Sequence, residues 1–100
     1  MTLTDRGFTG SIPELSGLTQ LEYFDVHSNA MTGSIPDLSG LANLAYFYVN
    51  SNHLTGSIPD LSGPNAPTGL QHFDVHNNQL SGTIPSLSSL TSLFKFYADF

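Results

Sequence analysis

The sequence predicts a repeat solenoid of the α/β class, in which short coils of chain stack on one another. Three observations predict this fold. The tetrad Gly-(Ser/Thr)-Ile-Pro starts at Gly10, Gly33, Gly56 and Gly82, so its copies lie 23, 23 and 26 residues apart. A pattern of leucine, phenylalanine and valine recurs in phase with the tetrad, and so does a single asparagine. A period of this length is typical of solenoids, in which each repeat buries its apolar face only against its neighbours.

Each repeat is predicted to contain one short strand. Around Phe24, Asp25 and Val26 apolar and polar residues alternate, so Phe24 and Val26 would face the core and Asp25 the solvent. Strands of successive repeats would lie ~4.8 Å apart and form a parallel sheet on the concave face of the solenoid.

Leucines recur at every third residue before each strand, as at Leu15, Leu18 and Leu21. This spacing predicts short helical or 3-10 turns on the opposite, convex face. The serine after the first leucine can cap the turn with its hydroxyl, and the mostly acidic residues after the prolines are also interpreted as turn caps. The insertion within residues 63–69 replaces one of these leucines and is expected to be a tolerated loop on the convex side.

An asparagine follows the strand in each of the first three repeats. Asn29, Asn52 and Asn78 lie where the chain turns away from the strand. A buried amide there can bond the backbone of its own coil and of the next coil. We therefore expect a ladder of asparagines along the solenoid.

The repeat pattern resembles that of a known family. Leu-x-x-Phe-x-Val-x-x-Asn-x-Leu followed by (Thr/Ser)-Gly-Ser-Ile-Pro is similar to the plant-type leucine-rich repeat of plant receptor ectodomains and polygalacturonase-inhibiting proteins. The chain has no cysteine and lacks the cysteine-paired caps of those proteins. The resemblance implies one leucine-rich-repeat domain over residues 1–100, with about four repeats of 23–26 residues and partial repeats at both ends. It also implies a non-enzymatic module that recognises a protein or peptide or, as a minor alternative, a glycan.

Composition argues against several other classes. The net charge is −6 and the cations are Arg6 and Lys95, so the chain is poorly suited to the phosphates of nucleic acids or anionic membranes. No apolar run approaches the ~20 residues that span a bilayer. Without cysteine there is no thiolate metal site, and no catalytic or cofactor motif is present. Residues 1–6 contain no signal-peptide core, while abundant Ser, Thr and Asn with few Lys favour a secreted or cell-surface protein.

The outward strand positions carry the candidate binding residues. All four tyrosines and three of the four histidines lie there. Tyrosine offers a large, rigid contact surface with a polar tip, so we expect a partner to bind on this face. The candidates are Tyr23, Asp25, His27, Tyr46, Tyr48, Asn50, His72, Asp74, His76, Lys95 and Tyr97.

Cross-strand pairing is a second explanation for the order of these residues. Alternation of acid and phenol keeps like charges two strands apart and lets Tyr48 bond Asp25 or Asp74. Metal binding and acid–base catalysis are not expected, although Asp and His are suitable ligand types. Asp25 and Asp74 would be ~10 Å apart at the backbone with a strand between them, so a four-ligand site would not close.

The sequence begins and ends within a repeat. Arg6 takes the position of the ladder asparagine, and the last strand, within 93–100, is strongly aromatic. Three interpretations stay open: the chain is a piece of a longer protein, its ends associate, or its degenerate repeats act as caps. Association would make it a self-assembling structural protein, as dimers or head-to-tail stacks, through Phe94, Phe96 and Phe100.

The Thr/Ser-Gly-Ser/Thr segments offer a last alternative. They begin at Thr9, Thr32, Thr55 and Ser81, and their hydroxyls would form a two-row grid. One plant antifreeze protein has this repeat type, so the resemblance implies ice binding as a minor alternative. The simpler interpretation is that these residues follow the family consensus, with glycine fitting a tight turn.

Overall fold

Stacked coils of chain make up the structure. The computed structural model describes residues 2–4 and 6–99. In this part of the chain the strands are β1 (Thr9–Ser11), β2 (Tyr23–Asp25), β3 (Ala30–Thr32), β4 (Tyr46–Tyr48), β5 (Thr55–Gly56), β6 (His72–Asp74), β7 (Gln79–Leu80) and β8 (Lys95–Tyr97). Strands β2, β4, β6 and β8 form one parallel sheet in that order. They define coils one to four, and the predicted parallel-strand solenoid is confirmed.

The register of this sheet confirms the predicted strand pattern. Its central column pairs Phe24, Phe47, Phe73 and Phe96 across successive strands. The rings stack with centroid separations of 5.5, 5.5 and 5.3 Å, and Phe47 and Phe73 are fully buried. Because side chains alternate along a strand, the residues on either side of each phenylalanine point away from the core.

Two small parallel sheets, β1 with β3 and β5 with β7, were not predicted from the sequence. Their strands have two or three residues, with a glycine of positive φ inside or just after most of them. Such strands show no apolar alternation and resemble turns in the sequence. Gly33 has a φ of +81°, and a Cβ atom placed on it would lie 3.2 Å from the Cβ of Ser11. Both the backbone conformation and the close coil contact therefore favour glycine there.

The expected asparagine ladder is present. The amide Nδ2 of Asn52 donates to the Val49 carbonyl in its own coil and to the Val26 carbonyl in the preceding coil, both at 3.1 Å. Its Oδ1 accepts from the Met31 N–H at 3.0 Å. Asn78 forms the same bonds one coil later. Each asparagine therefore bonds its own coil and the preceding coil. From the sequence we expected the next coil instead, but the next coil is bonded by its own asparagine.

The convex side consists of turns. No helix occurs within residues 2–4 and 6–99, so the expected helical or 3-10 segments are not confirmed. The Leu18 N–H donates to the Leu15 carbonyl and the Leu21 N–H to the Leu18 carbonyl, both at 2.9 Å. The leucine triplet therefore forms two successive turns. In the same described residues, no helix has the length and apolar character needed to cross a bilayer.

Acidic side chains cap two of these turns. Asp37 accepts from the backbone N–H and the hydroxyl of Ser39, each at 2.9 Å, and Asp60 bonds Ser62 in a similar way. Serine is the donor there and not the capping acceptor, which corrects one expectation, while the predicted acidic cap is confirmed. The Ser62 hydroxyl and N–H together lower the pKa of the exposed Asp60 carboxyl.

The insertion in coil three is anchored to the rest of the solenoid. Pro67 is fully buried, and its carbonyl accepts from the Leu70 N–H at 3.0 Å. Pro67 therefore takes the position of the missing leucine. The Asn65 carbonyl accepts from the Gly40 N–H at 2.9 Å, which ties the loop to coil two.

Candidate functional site

The register brings the predicted binding residues together on one side of the four-stranded sheet, which we call the sheet face. This is the face that the sequence predicts to be concave. The first outward column is Tyr23, Tyr46, His72 and Lys95. The second column is Asp25, Tyr48, Asp74 and Tyr97. His27, Asn50 and His76 follow two residues later along the first three coils.

Aromatic rings form a continuous group on the sheet face, which we call the aromatic cluster: Tyr23, Tyr46, Tyr48, His72 and Phe94. The Tyr23 ring centroid lies 5.5 Å from that of Tyr46 and 5.9 Å from that of Tyr48. The His72 ring lies 5.0 Å from Tyr46 and 5.7 Å from Phe94. Rings at these separations attract one another. The mutual contacts therefore restrain these side chains.

Tyr48 lies at the middle of the sheet face and bonds the neighbouring strand. Its hydroxyl lies 2.8 Å from Nδ1 of His72, and not beside an Asp25 or Asp74 acceptor as cross-strand pairing suggested. Burial raises the pKa of the Tyr48 phenol, and nearby phenols and carboxylates raise it further. Those neighbours are, in order of effect, Tyr23, Tyr46, Asp25 and Asp74. The phenol is thus held in its neutral form.

The two Asp-x-His pairs have the same local geometry. Oδ1 of Asp25 accepts from the His27 N–H at 3.1 Å, and Oδ1 of Asp74 accepts from the His76 N–H at 3.2 Å. The same carboxylate oxygen also contacts Nδ1 of the histidine ring in each pair. Asp25 and Asp74 are buried, with 4% and 9% of their surface exposed. These two aspartates therefore fix the chain as it leaves the strand, and they are less accessible than the sequence suggests.

The pairs do not assemble into a larger cluster. Among the residues that the structure describes, no group of three or more His, Cys, Asp or Glu side chains could hold a metal ion. Tyr48 separates the two aspartates in the sheet register. Each Asp-x-His pair is therefore a separate unit.

A polar hollow of about 290 Å³ opens on coils one to three of the sheet face. It is lined by Tyr23, Asp25, His27, Tyr48, Asn50 and Asp74. The sequence singled out all of these residues. The structure adds that they surround one depression, with a carboxylate on either side of Tyr48.

Coil four carries a cation beside a tyrosine. The Nζ of Lys95 lies 4.7 Å from the ring centroid of Tyr97. The His76 ring packs edge-on against the same tyrosine, at 6.0 Å between centroids. Lys95 and Tyr97 are both exposed, so this part of the candidate surface is accessible from solvent.

The residues predicted to mediate self-association have different environments. Phe94 is 81% exposed, whereas Phe96 is half-buried and packs against the core. Phe100 lies outside the described residues. At the other end an apolar groove of about 330 Å³ includes the exposed side chains of Leu3, Phe8 and Leu18. This groove was not predicted from the sequence.

The Thr/Ser-Gly-Ser/Thr segments are staggered between coils. Ser11 pairs with Thr32, and Thr55 pairs with Gln79. Equivalent hydroxyls of neighbouring coils are therefore not directly opposite each other in these sheets.

One family model and one solved structure are similar to this chain. A family model described as Leucine Rich Repeat matches residues 69–93. Among solved structures, the crystal structure of a TDR receptor matches 92% of this chain with 36% sequence identity and a TM-score of 0.61. The chain spans about a fifth of that receptor's length, since the match covers 20% of it. No curated protein sequence matches the chain.

The fold and the asparagine ladder define a solenoid of stacked repeats with a parallel sheet along one side. The repeat pattern and both matches place the chain within one class of such solenoids. Together they support a leucine-rich-repeat protein of the plant type.

Proposed function

We propose that this chain is a non-enzymatic recognition module that binds a protein or peptide through its sheet face. The observation that carries the proposal is the aromatic cluster, which runs from Tyr23 through Tyr46 and His72 to Phe94 with neighbouring ring centroids 5.0 to 5.7 Å apart. Tyr23 is 38% exposed even within this cluster. A row of tyrosines on an open sheet is a surface suited to contact with a partner.

The match to a receptor supports the same proposal. The TDR receptor shares 36% of its aligned residues with this chain, over most of this chain's length. Leucine-rich repeats typically present the sheet side to a partner, because stacked coils create an extended binding surface. The Asp-x-His pairs on the sheet face are separate and engaged with their own backbone, which favours recognition over catalysis.

The proposed contact residues are the eleven that the register brings to the sheet face. Tyr23, Tyr46, Tyr48, His72 and Tyr97 would supply the area, since aromatic rings lose little conformational freedom on binding. Polar residues between them would set specificity. They are Asp25, His27, Asn50, Asp74, His76 and Lys95.

Selection from a random peptide library displayed on phage tests this proposal. Peptides that bind the chain should fail to bind a Tyr46→Ala/Tyr48→Ala variant, because it removes two rings from the centre of the aromatic cluster. A Thr19→Ala/Thr91→Ala variant changes two exposed residues in turns away from the sheet and should retain binding. Peptides that bind all three proteins equally would contradict the proposal.

Self-association is a second candidate, favoured by one observation. Phe94 exposes 81% of its surface next to the last strand, which is unusual for a phenylalanine. Sedimentation at micromolar concentration tests this candidate. An associated form that becomes monomeric in Phe94→Ser would support it, and a monomer in the unmodified chain would exclude it. Phe94 is better suited to this test than Phe96, since Phe96 also packs against Phe73.

A further inference from the structure

The hollow on the sheet face combines negative charge with aromatic rings. Asp25 and Asp74 lie on the two strands that flank Tyr48, in register with it. In the described residues, their only ion-pair contacts are with His27 and His76. The hollow therefore holds two carboxylate groups beside an aromatic ring.

Another tyrosine on the sheet face already contacts a cation of the same chain. Tyr97 belongs to the same column as Tyr48, two strands further along the sheet. The ammonium group of Lys95 lies 4.7 Å from the Tyr97 ring centroid, at the distance of a cation–π contact. In coil two the residue that corresponds to Lys95 is Tyr46, so the chain supplies no cation to Tyr48 from that position.

The rest of the chain offers little positive charge to this hollow. The net charge is −6, and the cationic side chains other than histidine are Arg6 and Lys95. Lys95 lies at Tyr97 in coil four. A positively charged group on a partner is thus complementary both to the hollow and to the chain as a whole.

We infer that the hollow between Asp25 and Asp74 binds a cationic side chain, an arginine or a lysine of the partner peptide, over the ring of Tyr48. This inference rests on the proposed function, because it names the chemistry that the sheet face recognises. The cation would stack on the phenol ring and face a carboxylate on either side. Asn50 and His27 would line the same depression and offer polar contacts to the partner's backbone.

Nuclear magnetic resonance titration of the full chain tests the inference without any variant. The probes are N-acetyl-arginine amide and N-acetyl-lysine amide, and the matched control is N-acetyl-citrulline amide, which has nearly the shape of arginine but no charge. At equal ionic strength, one of the cationic probes should shift the amide signals of residues 25–27, 48–50 and 74–76 and bind about tenfold more tightly than citrulline. Equal binding of the cationic and neutral probes would overturn the inference.

Two charge-matched variants locate the effect. Asp25→Asn/Asp74→Asn keeps an oxygen that can accept from the histidine N–H and should abolish the preference for the cation. Asp37→Asn/Asp60→Asn removes the same charge from the turn caps and should retain the preference. A preference retained in the first variant, or lost to the same extent in both variants, would mean general attraction to an acidic protein and would overturn the inference.

Peptides selected from the display library separate this inference from the proposed function. Selected peptides that need Tyr46 and Tyr48 but contain no arginine or lysine would leave the proposed function intact and overturn the inference. If no selected peptide depends on those tyrosines, the proposed function itself fails. Peptides enriched in arginine or lysine that lose binding to Asp25→Asn/Asp74→Asn would support both.

Discussion

The side-chain oxygen of Asn52 accepts a hydrogen bond from the backbone N–H of Met31, 3.0 Å away in the preceding coil. The amide group of the same side chain donates to carbonyls of both coils. Asn52 is 5% exposed, so these backbone groups have little access to water. One buried side chain thus holds two coils in register and keeps the sheet face aligned.

Removal of this amide should destabilise the protein. Asn52→Ala leaves an N–H donor and two carbonyl acceptors without their partner, which we expect to lower the free energy of unfolding by ~3 kcal/mol. Urea denaturation followed by circular dichroism measures the change. Asn43→Ala, at an exposed turn position, is the matched control and should change stability by less than about 0.5 kcal/mol. Similar losses in both variants would contradict a structural role for the ladder.

Gly33 lies too close to Ser11 for a larger residue, and its backbone has a positive φ. Gly33→Ala should therefore lower the free energy of unfolding by ~2 kcal/mol, because the backbone strain of a positive φ adds to the close contact with Ser11. In contrast, Gly17 has an ordinary φ, and a Cβ atom placed on it would have no neighbouring atom within 4 Å, so Gly17→Ala is expected to be neutral or slightly stabilising. Thermal unfolding of the two variants distinguishes them, and a neutral Gly33→Ala would refute the close contact.

The phenylalanine stack should contribute most to the stability of the core. Phe73→Ala removes a fully buried ring that stacks on both neighbours, so we expect a loss of ~4 kcal/mol in the free energy of unfolding. Phe94→Ala removes a ring of the same size that is 81% exposed, and the loss should stay below about 1 kcal/mol. Equal losses in urea denaturation would mean that Phe94 is buried in solution.

The raised pKa of Tyr48 makes its contribution to stability depend on pH. Because the folded protein favours the neutral phenol, this contribution is complete below the ordinary tyrosine pKa of 10.0 and is lost as the pH rises through the higher pKa of the folded state. The unmodified chain and Tyr48→Phe should therefore differ in unfolding free energy by a constant amount near neutral pH. Above pH 10.0 the unmodified chain should lose stability relative to Tyr48→Phe. A difference that does not vary with pH would contradict the burial of this phenol.

The repeat pattern was sufficient to predict the four-stranded sheet, its register and the asparagine positions. This succeeded because a repeated unit fixes which residues are stacked, so the column of Phe24 and Phe47 follows from spacing alone. The strands β1, β3, β5 and β7 were missed, because they show no alternation of apolar and polar residues, and β1 and β5 contain glycine. The turns at Leu15 and Leu18 were expected to be helical, since spacing of three fits both a 3-10 helix and successive turns.

The candidate site was predictable in position but not in its contacts. The register alone placed Tyr48 between Asp25 and Asp74. The bond from Tyr48 to His72 depends on side-chain conformation, which spacing does not determine. Likewise, the sequence does not indicate that Asp25 turns toward the backbone of His27 and becomes buried.

The binding constant of a library-selected peptide tests the proposed recognition function most directly. Isothermal titration calorimetry would compare the unmodified chain, Tyr46→Ala/Tyr48→Ala and the control Thr19→Ala/Thr91→Ala, with circular dichroism showing that all three are folded. We expect binding at least about tenfold weaker in the tyrosine variant, as for loss of aromatic residues at the centre of an interface, and unchanged in the control. The same dissociation constant in all three folded proteins would show that the sheet face is not the binding surface.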